Sequence, residues 1–127
     1  MMDSQNELND FAELLMRVVR DRAISTCEAF AAGRMGGPDG ERWNTVLAGR
    51  DARSAVAELI ADIVDQTLFY LLNSLDNGDL PLALRRANGS CVDLYDLGRS
   101  EMAGWFLGPD GWRARYSTHR FFDPDAP

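Results

Sequence analysis

The stretch AVAELIADIVDQTLFYLL, residues 55–72, decides how the chain folds. At about 100° per residue its apolar positions cover most of a helix circumference, so it reads as a buried helix at the centre of the molecule. It also carries Glu58, Asp62 and Asp65. Charges at that frequency are too costly for a lipid-facing span, and no membrane segment is expected. Asp51 is the cap candidate before it, and DNGD at 76–79 ends the pattern. The central helix is therefore expected over 51–75.

Working outward toward the N-terminus, Leu8, Phe11, Ala12, Leu15, Val18, Val19, Ala23 and Phe30 fall on one face of a 3.6-residue period. A long amphipathic helix is expected over 5–32. GRMGGPDG, 33–40, holds four glycines and Pro38 and reads as a flexible glycine-rich loop. Asp39 is then placed to cap a short helix over 40–48 that carries Trp43, Val46 and Leu47.

Beyond the central helix, LALRRANGSCVDLY at 82–95 reads as a hairpin around Asn88-Gly89. A two-residue turn would set Leu84 opposite Asp93, whereas a three-residue loop at 88–90 pairs Leu84 with Leu94 and Arg85 with Asp93, the better pattern. A rival reading makes 80–88 a short helix capped by Asp79 and stopped at Gly89. EMAGWFLGPDGWRARYS, 101–117, follows: a short helix begun by Ser100 or Arg99 and carrying Met102, Ala103, Trp105 and Phe106, a GPDG turn, and an alternating strand with Trp112, Ala114 and Tyr116 inward. The tail FFDPDAP is expected to fray, with Phe121 and Phe122 as candidates to anchor its start. The fold class is α+β in a single globular domain over 1–127: a bundle-like N-terminal two thirds with two long helices and a short one, then, over 82–117, a small antiparallel β element, a short aromatic-rich helix and a terminal strand.

The chain has 127 residues and a formal charge of −7, and all 13 basic residues are arginine. Arginine and alanine enrichment points to GC-rich bacterial coding. Residues 1–32 carry six acids against three arginines and 51–80 carry six against Arg53, while 81–127 balance. Such a field disfavours phosphate backbones and suits a basic protein partner. MMDSQNELND has neither a basic patch nor an apolar run, so a cytoplasmic location is expected. Cys27 and Cys91 lack zinc-site spacing and are expected as free thiols.

For chemistry, Glu58, Asp62 and Asp65 stand at i, i+4, i+7, on one helix face. Together with Glu7, Asp10 and Glu13 they faintly resemble the carboxylate pairs with which helical nucleotide pyrophosphohydrolases hold magnesium. On that resemblance the chain would be a metal-dependent hydrolase of a phosphorylated or nucleotide substrate. The wheel of the first helix opposes it, because Asp10 and Glu13 point away from Leu8 and Leu15, alongside Arg17 and Arg20. No metal or cofactor is expected, and no GxGxxG, GxxxxGK[ST] or HExxH pattern occurs. His119 is the one histidine, and nothing in the sequence brings a cysteine to it. The leading expectation is a non-catalytic protein-binding module, an inhibitor or immunity-type partner of a basic protein, with Glu58, Asp62 and Asp65 as its face. Trp105, Trp112, Arg113 and Arg115 form an alternative aromatic and basic surface, and a homodimer is a third expectation.

Overall fold

The computed structural model describes residues 4–124. Both ends of the 1–127 domain lie outside the described residues, as do the side chains of Leu8, Phe11 and Ala12. The chain is mostly helical with one small antiparallel sheet. The first helix runs as α1 (Ser4–Leu15), a π-helical segment (Met16–Asp21) and α2 (Arg22–Ala31) without a break. In the wide π turn two adjacent valines, Val18 and Val19, are both buried. α2 ends in a Schellman motif: Gly33 takes a positive φ of 73°, and the N–H groups of Gly33 and Arg34 bond back to Phe30 and Ala29.

The glycine-rich stretch is not a loop throughout its length. α3 (Gly37–Gly49) starts inside it, with Pro38 in the first turn, where a missing N–H costs nothing. Gly36 is the cap residue, and Asp39, expected there, sits one turn inside. Gly40 is buried, and glycine is required there because a Cβ would collide with the Met35 carbonyl. Phe30 and Trp43 stack at 5.2 Å between ring centroids, and with Val46, Ala55 and Leu59 they make one core cluster.

α4 (Ala52–Asp76) begins at Asp51, whose carboxylate accepts from the Ser54 N–H at 3.0 Å. It closes with a second Schellman motif at Gly78. Its C-terminal end enters another core cluster, Val18, Val19, Leu75, Leu80 and Met102. α4 thus plugs into a core at each end. Along its middle it differs from the expected buried helix, because Val56, Ile60, Ile63, Val64 and Leu68 are 39–59% exposed.

β1 (Ala83–Arg85) and β2 (Cys91–Asp93) form the hairpin with Ala83 opposite Asp93, Leu84 opposite Val92 and Arg85 opposite Cys91. Both registers weighed from sequence are off. The loop is three residues long but consists of Ala87, Asn88 and Gly89, because Arg86 donates to the Ser90 carbonyl at 2.7 Å and Gly89, at φ 88°, supplies the left-handed residue. Asn88 Oδ1 accepts from the Ser90 N–H, so it acts as a side-chain turn and not as the first centre of a type I′ turn.

α5 (Leu94–Gly98), α6 (Met102–Leu107) and α7 (Trp112–Tyr116) follow. α6 is capped from a distance and not by Ser100 or Arg99: Asp76, 6% exposed at the end of α4, accepts from the Met102 and Ala103 N–H groups at 3.0 and 2.9 Å. The expected terminal strand is the helix α7. Its alternation misled because Tyr116, expected inward, is 71% exposed, whereas Arg113, expected outward, is 8% exposed. Replacing Asp76 with Ala strands two buried N–H groups and should lower stability by about 3 kcal/mol, read as a reduced urea midpoint at unchanged slope. Asp76→Asn, with one acceptor oxygen in place of two, should fall between.

Candidate binding surface

The acidic stripe of α4 is matched by arginines of the same chain. Arg42 of α3 forks onto Asp62, with its Nε and a terminal nitrogen at 2.9 and 3.2 Å, and reaches Glu58 at 3.4 Å. Arg50 holds the other Glu58 oxygen at 3.1 Å. Arg113 of α7 donates to Asp65 at 2.9 Å and to the Leu107 carbonyl at 3.0 Å. Its guanidinium lies between the rings of Phe121 and Phe106, at 4.4 and 5.3 Å from their centroids, and Arg42 lies over Phe122 at 5.0 Å.

The electrostatics follow this pairing. Partial burial pulls the Glu58 carboxyl upward, but Arg50 and Arg42 together hold it below its usual range. Hydrogen bonding to Asp62 raises Arg42. Asp65 is different: burial pushes its carboxyl up despite Arg113. Each of the three acids expected to meet a partner therefore has an internal counterion, and among the described residues no group of three His, Cys, Asp or Glu side chains could hold a metal ion.

The aromatic and basic surface divides. Trp105 and Trp112 tilt against each other at 6.3 Å and pack on the core beside Leu71 and Leu72. Arg113 is inside with them, while Arg115, over the exposed Tyr116 ring at 5.3 Å, is outside. Neither cysteine hydrogen-bonds to His119 among the described residues. Cys27 lies half-buried in α2 and Cys91 exposed in β2, both as free thiols. Burial, then the charge of Asp62, raises the Cys27 thiol.

Several openings lie along α4. One, of about 420 Å³, has a mixed lining of Asp39, Asp62, Asp65 and Arg113 with Trp43 and Phe122. A second, about 450 Å³ and apolar, lies between Ile63 of α4 and the first long helix. A third, about 840 Å³, is an apolar groove between α4 and the chain from Trp112 to Phe121. Ile60, Val64 and Leu68 form its α4 wall, opposite Phe106, Trp112 and Phe121. Sequence reasoning missed this face because the same aliphatic periodicity marks a core helix and an open one. It missed Arg42 as well, whose partners are 16 and 20 positions away. No helix among the described residues is long and apolar enough to cross a membrane. No protein family, curated protein or solved structure matches this chain.

Arg113→Met should cost about 3 kcal/mol by leaving Asp65 half-buried without a counterion. Adding Asp65→Leu should recover part of that loss in thermal or urea unfolding. The two thiols should separate as well: at pH 8 iodoacetamide should modify Cys91 first, with Cys27 slower by about tenfold in a mass-spectrometric time course.

Proposed function

We propose that this protein is a non-catalytic binding module whose working surface is the apolar face of α4 and the groove beside it. The observation that carries this reading is the run Val56, Ile60, Ile63, Val64 and Leu68, five branched aliphatic side chains left 39–59% exposed on one helix. Contiguous apolar surface of this kind costs solubility and marks a surface that something else covers. The acidic face Glu58, Asp62 and Asp65 is the weaker candidate, since engaging a basic partner would first require breaking its ion pairs with Arg42, Arg50 and Arg113. The hydrolase alternative draws nothing from the α4 stripe, because Glu58, Asp62 and Asp65 bind guanidinium groups; the side chain of Glu7 lies outside the described residues.

A second copy is the alternative occupant. Val56 and Ile63 stand outside the groove, and an antiparallel pair of α4 helices would cover them too.

Ile60→Asp tests the reading, since the side chain is 54% exposed and its loss should leave the circular dichroism spectrum and melting temperature nearly unchanged. Native mass spectrometry of wild-type protein should show an added mass, a bound small molecule or a second chain, that Ile60→Asp lacks. Wild type and variant both running as the same bare monomer, with equal fluorescence from an apolar dye, would remove the reading.

A further inference from the structure

Resting on that reading of the α4 face, we infer that the groove takes the hydrocarbon chain of a long-chain fatty acid, with its carboxylate at the Arg120 end. From Ala57 to Leu72 the α4 wall is about 22 Å long at 1.5 Å per residue. The groove's 840 Å³ along that length is room enough for one extended chain. A bilayer's hydrocarbon core, two acyl chains deep, is about 30 Å thick, so a chain of about 16–18 carbons fits the groove with space left for its head group.

The lining chooses hydrocarbon over extended peptide. A peptide strand would bring an N–H and a carbonyl every residue into a wall built from Ile60, Val64, Leu68, Phe106 and Trp112, and those groups would be left without partners. An acyl chain has no such groups, and each methylene that leaves water contributes about 0.8 kcal/mol.

Charge sets the direction. Partway along the groove the charges of Arg113 and Asp65 neutralise each other, while the buried Nε of Arg113 has no hydrogen-bond partner among the described residues. At the Ala57 end, Arg120 spends one donor on the Ala57 carbonyl at 2.8 Å. A guanidinium has five donors in a planar fork, so others remain for a carboxylate, and the neighbouring exposed His119 adds a further polar group at that mouth. The far end, at Leu72, Phe106 and Trp112, is apolar. A single-headed anionic amphiphile matches this one-ended polarity.

The test uses the delipidated full-length protein and cis-parinaric acid, a fluorescent polyunsaturated fatty acid, with palmitate and uncharged 1-hexadecanol as competitors. Saturable 1:1 binding is expected, with palmitate displacing at least about tenfold better than hexadecanol. Arg120→Glu should weaken palmitate by about tenfold or more and leave hexadecanol unchanged, while Ile60→Asp should abolish both. Equal displacement by acid and alcohol, indifferent to Arg120→Glu, would overturn the carboxylate assignment. If wild type binds no parinarate yet forms a dimer that Ile60→Asp dissociates, the fatty-acid inference fails and the α4 surface stands. If Ile60→Asp alters neither parinarate binding nor mass, both fail.

Discussion

Three carboxylates on one face of a half-buried helix cannot be left without counterions, and much of this fold is arranged around that constraint. Ionised carboxyls removed from water cost several kcal/mol each unless paired and hydrogen-bonded. Asp62, with a side chain 9% exposed, is met by a two-pronged Arg42, and Asp65 by Arg113 from a segment 48 positions later. Arginine suits both tasks. Its flat fork binds a carboxylate in register while its faces accept the rings of Phe106, Phe121 and Phe122. The ion pairs therefore serve as joints, fixing α3 and α7 to the central helix.

The joints explain the form of the C-terminal third. For Arg113 to turn inward beside its neighbour Trp112 and reach both Asp65 and the Leu107 carbonyl, the chain takes a helical turn over 112–116, in which adjacent residues can share a face. A strand would direct Arg113 outward, as the alternation of WRARYS implied. Asp76 acts similarly one step earlier, tying the start of α6 to the end of α4 by two backbone hydrogen bonds. Long-range polar contacts, more than local propensity, place these short helices.

What could be read from the residues divides along the same line. The helices around 5–32 and 51–75 were legible because the apolar period persists for many turns and Asp51, Gly33 and Gly78 carry local cap chemistry. The hairpin's existence was legible in Asn88-Gly89, but its register was not, since strands of three residues give the pattern too few positions to fix it. α3 was foreshortened because Gly36, Gly37 and Gly40 read as loop, although Pro38 is at home in a first turn. At the surface, Glu58, Asp62 and Asp65 were legible as a face, but not their arginine partners, and the exposure of Ile60 and Val64 had no signature at all. Periodicity reports which side chains share a face, not whether anything lies against it.

α4 consequently divides its labour. Its carboxylate side draws in the other elements through charge, and its two ends complete the two cores. With those sides occupied, the face through Val56, Ile60 and Val64 is left without a covering element, and the segment from Trp112 to Phe121 runs beside it to make a groove. An open apolar face on a chain of this size would favour aggregation. A formal charge of −7 opposes close approach of copies and Arg120 places a cation at the groove's mouth. The same net charge works against a general association of this chain with itself.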